Sequence, residues 1–189
     1  AKECITQTNI ENISIIPGSV KLSMLENEIL HKFASGSFNI MKKRLRDTAK
    51  KQFDYTIIDH PASLGVLPLT AVIASDQVII PVSTGSNFSQ EGLDEALSFV
   101  DEERNNFNQE LKATKILLSI VKKREKAHQA SIEMIKNKFS EEFIFKTEVP
   151  AAAAMENAEL NKQTIFQFKP NSPVTSAFQA LSEEIDNLY

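Results

Sequence analysis

Three short runs of the chain are apolar at consecutive positions: Thr56-Ile57-Ile58, Val78-Ile79-Ile80 and Ile116-Leu117-Leu118. A strand that alternates apolar and polar residues can leave one face in water. A strand without alternation needs cover on both faces, and a parallel sheet between two layers of helices provides it. Ile13-Ser14-Ile15-Ile16, ending at Pro17-Gly18, reads as a fourth strand and Phe143-Ile144-Phe145 as a fifth. Helical stripes fall between them. Leu93, Ala96, Leu97 and Val100 form one; Ile132, Ile135 and Phe139 form another; Val174, Ala177, Phe178, Leu181, Ile185 and Leu188 form the longest. Ser172 as N-cap and Pro173 at the first helical position mark where the last helix starts. Two more helices are expected between Pro17 and Phe53, with a break near Ser35-Gly36-Ser37. Strands alternating with helices imply βαβ crossovers. The expected fold is therefore α/β: a doubly wound, mostly parallel sheet flanked by helices, with residues 1–189 as a single domain.

Composition narrows the function classes. The chain has 189 residues with a formal charge of -4, against a dedicated, wholly basic nucleic-acid binder but compatible with a local basic patch. No apolar run reaches membrane-spanning length, and no basic-plus-apolar leader opens the sequence. It opens on Ala1 rather than Met, which fits a start lying upstream. Cys4 is the only cysteine, so no internal disulfide forms and a cytoplasmic setting is expected. His31, His60 and His128 lack the spacing of a metal site, Ser63 is not in a nucleophile elbow, and no G-x-G-x-x-G is present.

The stretch Phe53-Asp54-Tyr55-Thr56-Ile57-Ile58-Asp59-His60-Pro61 is the most informative. It is a hydrophobic strand ending in an acid, followed at once by a turn. In an open parallel sheet the carboxyl ends of the strands form the ligand crevice, and an aspartate there can hold Mg²⁺ through water beside a nucleotide's phosphates. The alternative is a turn or N-cap aspartate with no ligand.

Around Asp59 the sequence resembles the ParA family of partition ATPases, deviant-Walker relatives of the MinD proteins. Asp59-His60-Pro61-Ala62-Ser63-Leu64-Gly65, Ala74-Ser75-Asp76-Gln77-Val78-Ile79-Ile80-Pro81-Val82 and Glu91-Gly92-Leu93 carry the likeness. Looser matches follow at Ile116-Leu117-Leu118-Ser119-Ile120-Val121, Thr147-Glu148-Val149-Pro150, Met155-Glu156-Asn157-Ala158 and Pro170-Asn171-Ser172. Their order covers nearly the whole chain. The resemblance implies a P-loop NTPase-like fold, ATP and Mg²⁺ as cofactors, ATP-dependent homodimerisation, non-specific DNA binding on the nucleoid, and a ParB-like centromere-binding partner that stimulates hydrolysis. It implies Asp59 as the residue orienting Mg²⁺ through water, and Pro150 as a contact to the adenine ring, the alternative being a proline that merely ends a strand. Ser119 stands where some relatives contact the base.

Family members begin with a strand and a Gly-rich loop whose backbone N–H groups cradle phosphate. None of Gly18, Gly36, Gly65, Gly85 or Gly92 is followed by Lys, and no G-x-x-x-x-G-K occurs. What resembles the family is its later part, without the N-terminal strand and P-loop, so this chain alone is expected to be inactive in ATP hydrolysis. By position, Lys122, Lys123, Arg124 and Lys126 are the DNA-contact candidates, with a solvated loop as the alternative. Lys42, Lys43, Arg44, Arg46, Lys50 and Lys51 read as a solvated helix face or an accessory patch. Ala151-Ala152-Ala153-Ala154 stands where many relatives carry arginine. The last helix carries Glu183, Glu184 and Asp186, unlike a basic membrane-targeting tail, so no membrane partner is expected.

Three functions stay open at this point: a partition ATPase, a non-catalytic ParA-like interaction or DNA-binding protein, and an iron–sulfur carrier ATPase of the same superfamily. The lack of a Cys-x-x-Cys pair counts against the third.

Overall fold

The computed structural model describes residues 2–22, 24, 26, 38–60, 63–85 and 88–188. The chain divides into two compact units, Ala1–Asp76 with Phe99–Lys112, and Gln77–Ser98 with Ala113–Tyr189.

In the first unit, β1 (Thr6–Gln7) and β2 (Ser14–Ile15) form a small antiparallel pair, with Thr6 opposite Ile15 and Gln7 opposite Ser14. Asn12 adopts φ 61 in the connecting turn, a left-handed conformation that its short polar side chain tolerates. Thr8 closes the turn, its hydroxyl donating to the Ile13 carbonyl at 2.7 Å. Further on, a π-type helical stretch, Lys42–Arg46, runs into α1 (Asp47–Gln52). Helix α2 (Val66–Ala74) is apolar on nearly every side, with Val66, Pro68, Thr70, Ala71, Val72 and Ile73 buried. A helix end buried in this way needs partners for its last carbonyls. Arg46 donates to Ala74 O at 2.8 Å and pairs with Asp76 at 2.6 Å, while Asn108 Nδ2 donates to the carbonyls of Val72 and Ser75, both at 2.8 Å.

The second unit holds β3 (Gln77–Ser83) and β4 (Ala113–Ser119), parallel and in register from Gln77 opposite Ala113 to Ser83 opposite Ser119. Helix α3 (Phe88–Phe107) contributes Leu93 to this unit, and α4 (Lys126–Lys138) follows β4. Then come α5 (Ala153–Leu160), α6 (Ile165–Phe168) and α7 (Pro173–Asp186). The core has two halves. Ile116 and Leu118 of β4 pack with Val82, Leu93, Val121, Ile135 and Ile144. Leu117, between them, packs with Phe145, Val149, Ala158, Ile165, Val174 and Leu181. Successive side chains of a strand point to opposite faces, so β4 is covered on both, as its unbroken apolar run requires. The parallel sheet and the α/β class are thus as read from the sequence. So are the stripe on α3, that on α4 (where Phe139 is the C-cap), and the α7 start, where the Ser172 side chain accepts from Thr175 N–H.

Three strand expectations are corrected. Residues 55–60 are irregular and belong to neither sheet of the described residues, and Ile57 is 92% exposed. An apolar run becomes a sheet strand only where a neighbouring strand takes up its backbone groups in a ladder, and neither sheet of the described residues includes this one. The Ile13–Ile16 run yields only the two-residue β2, outside any parallel sheet, because Pro17 has no N–H to extend the ladder. Glu141–Phe143 forms a 3-10 turn instead of opening a strand, leaving Ile144 as a single parallel bridge to Ile116. The expected helix break at 35–37 lies outside the described residues. Helix α2, not singled out above, is a nine-residue apolar stretch whose all-round burial leaves no helical periodicity to read.

Candidate nucleic-acid and nucleotide site

The carboxyl ends of β3 and β4 make a rim, the position where open α/β sheets bind ligands. Here Thr84 is buried; its N–H donates to Ser119 O at 3.1 Å and its hydroxyl lies 2.7 Å from His128 Nδ1 on α4. The other ring nitrogen of His128 is 3.4 Å from Glu125. Gly85 follows with φ 91 against the His128 ring, where a Cβ would collide with the imidazole, so glycine is required for both conformation and space. The sequence reading missed this Thr84–His128–Glu125 chain: Glu125 and His128 are neighbours on one helix turn, but Thr84 reaches His128 only through the fold. Ser119 is occupied within the sheet, its hydroxyl donating to Val82 O at 3.3 Å.

Beyond β4 the chain passes through Ile120, at φ 52, into the basic turn. A third run of backbone flanks it. Val149 donates to Leu118 O at 2.9 Å, Val121 donates to Val149 O at 3.0 Å, and Ala151 donates to Val121 O at 3.0 Å. Pro150 bridges Val121 in this run; it sits half-buried beside the rim and interrupts no ladder bond that needs its missing N–H.

Lys122, Lys123, Arg124 and Lys126 are all exposed on the turn and the first residue of α4. Lys122 pairs with Glu125 at 3.2 Å and Lys123 with Glu148 at 3.2 Å. Arg124 and Lys126 form no ion pair among the described residues. Glu148 also accepts from Lys136 at 2.8 Å. Partial burial works to raise the Glu148 pKa, but hydrogen bonds and charge from Lys136 and Lys123 prevail and hold it below the ordinary glutamate value. Half of the other basic cluster is paired inside the first unit. Arg46 and Lys50 pair with Asp76, and Lys42 lies 3.6 Å from Glu110. Lys43, Arg44 and Lys51 are exposed.

Asp59 is in the first unit, exposed at the end of the 55–60 segment. It does not stand at the mouth of a buried strand, because that segment is not in a sheet. Pro61 and Ala62 lie outside the described residues. Among the described residues no group of three or more His, Cys, Asp or Glu side chains is placed to hold a metal, and no helix is long and apolar enough to cross a membrane.

An AAA domain family model matches residues 1–113. The chain is 30% identical over 183 residues to the sporulation initiation inhibitor protein Soj of Bacillus subtilis, covering 97% of this chain and 70% of that protein. It is 26% identical to the chromosome partitioning protein ParA of Myxococcus xanthus, covering 97% of this chain and 63% of that one. Among solved structures, apo McdA of Cyanthece superposes with a TM-score of 0.81 at 19% identity, over 97% of this chain and 72% of that chain. Cobyrinic acid a,c-diamide synthase of Mycobacterium smegmatis with bound ATP analogue and magnesium superposes at 0.68 and 21% identity, over 80% and 59%. The two solved structures establish the fold; the sequence relatives, of which this chain spans 63–70%, go further.

Proposed function

The chain belongs to the ParA/MinD-type family of partition ATPases, and from that premise we propose that it is the DNA-engaging and partner-engaging part of a ParA-like partition ATPase. In this reading it attaches non-specifically to DNA through Lys122, Lys123, Arg124 and Lys126, and a ParB-like centromere-binding protein regulates it. The observation that carries the DNA contact is the exposed basic turn on the C-terminal rim of the sheet, where two of four cations form no ion pair among the described residues. Cations there neutralise phosphate without reading sequence, so binding falls as salt rises. A homodimer, a cytoplasmic setting and nucleoid attachment belong to the same proposal.

For the nucleotide, Asp59 and Pro150 are the residues this chain would contribute, as the magnesium-orienting acid and the wall of the adenine site. Mg²⁺ with ATP would supply the phosphoanhydride chemistry. A phosphate-cradling loop is not among these 189 residues. The expected outcome of a calorimetric Mg–ATP titration is therefore weak or undetectable binding by this chain; tight binding abolished by Asp59→Ala would overturn that. For DNA, neutralising Lys122, Lys123 and Arg124 to Gln should weaken binding to a duplex of arbitrary sequence. It should also flatten the slope of log K against log salt by about 0.9 for every phosphate the turn no longer neutralises. An unchanged slope removes the turn from the interface.

A further inference from the structure

Glu148 lies beneath two cations that reach past it into solvent. Its side chain is 14% exposed, whereas those of Lys123 and Lys136 are 76% and 49% exposed. One carboxylate oxygen accepts from Lys136 at 2.8 Å and the other is 3.2 Å from Lys123. The backbone around the acid is fixed, because Val149 donates to Leu118 O and Lys146 and Thr147 donate to Glu184. Glu148 therefore cannot withdraw with its segment; only its side chain can give way.

We infer that Glu148 is an internal counter-ion that competes with nucleic-acid phosphate for Lys123 and Lys136, and so sets how strongly the basic turn holds DNA. This rests on the reading that the turn binds DNA, and it adds Lys136, from the other end of α4, to that surface. Each ammonium has three donors and no acceptor, so both lysines keep donors for solvent or phosphate while paired. What the carboxylate removes is field. A negative charge at ion-pair distance cancels much of the attraction a phosphate would feel, and Glu125 does the same beside Lys122 at 3.2 Å. Arg124 and Lys126 have no such acid among the described residues, so the turn is graded into two braked and two unbraked cations.

The experiment measures binding of a short duplex of arbitrary sequence to the full chain across a salt series. Glu148→Gln should tighten binding about threefold at low salt, the size of one exposed ion pair. The salt slope should steepen by up to about 0.9 for each further phosphate neutralised. Adding Lys123→Gln to Glu148→Gln should cancel most of the tightening. Circular dichroism and the unfolding midpoint confirm that the fold is kept; if Glu148→Gln does not fold, Glu148→Asp, which keeps the charge but shortens its reach, should show a smaller increase in affinity. Unchanged affinity in the folded variant, while neutralising Arg124 and Lys126 still weakens binding, overturns the brake and leaves the DNA surface standing. If neutralising all four cations of the turn changes nothing, the surface and the brake fall together.

Discussion

Ile57 and Ile116 sit in runs of nearly the same character, yet Ile57 is 92% exposed and Ile116 1% exposed. Each is flanked by further apolar residues and each run precedes a turn. The difference is in the neighbours. Ile116 faces Ile80 across the β3–β4 ladder, and its carbonyl accepts from Phe145 at 2.9 Å. Residues 55–60 have no ladder partner among the described residues. Hydrophobicity proposes a strand, but the backbone decides, because burying N–H and C=O groups unpaired costs more than the side chains return. β4 is flanked on two edges and the 55–60 segment lies in neither sheet of the described residues, a difference in strand neighbours and not in propensity.

The largest expected effect strikes the paired side of this comparison. Leu118 is fully buried in the half-core with Val82, Leu93 and Ile135. Leu118→Ala should lower unfolding free energy by about 2–5 kcal/mol, from lost transfer and the cavity left behind. Denaturant unfolding measures it. A loss under about 1 kcal/mol would mean that β4 is no better buried in solution than the 55–60 segment.

A second test asks whether exposure of residues 55–60 reflects a loose first unit. Asn108 is buried there and holds the carbonyls of Val72 and Ser75 at the end of α2. Asn108→Ala leaves both without that donor and should cost about 1–3 kcal/mol. A negligible cost would mark the whole unit as weakly ordered, and Ile57 would then teach nothing about pairing.

These contrasts show where the sequence was legible. Val78-Ile79-Ile80 and Ile116-Leu117-Leu118 announced their parallel pairing because a run apolar on both faces has few other homes. Ser172-Pro173 announced α7 because a cap and a fixed φ act locally. The site was less readable. Lys122 to Lys126 could be found by charge, but Glu148 becomes their counter-ion only through the bridge between Val121 and Pro150. His128 looked isolated for the same reason. Asp59 was placed at the mouth of a buried strand on the strength of its own run, and a run cannot reveal whether a strand lies beside it.

A smaller effect sharpens the comparison through pH. The folded state holds the Glu148 pKa below that of the unfolded chain. The stability this contributes is present above the ordinary glutamate range, near 4.5, and is lost as pH falls through the lower, folded value. Wild type should thus exceed Glu148→Gln by less than about 1 kcal/mol at neutral pH, given solvent screening of the pair. The two should converge on acidification below that range. A difference that persists at low pH would mean that packing, not charge, holds this edge to β4.

The smallest expected effect is the most decisive for the segment outside the sheets. Ile57→Thr keeps a β-branched residue and removes most of the exposed apolar surface. At a side chain with so little burial to lose, stability should change by no more than about 0.5 kcal/mol. Sedimentation should show less self-association, since exposed apolar side chains such as Ile57 invite another chain. A loss above about 1.5 kcal/mol would mean that residues 55–60 are buried in solution and have found a sheet edge. Asp59 would then stand at a strand's carboxyl end, and the Mg–ATP titration would have to be repeated under the conditions that gave that loss. The exposure of one isoleucine thus governs how the aspartate two residues later is to be interpreted.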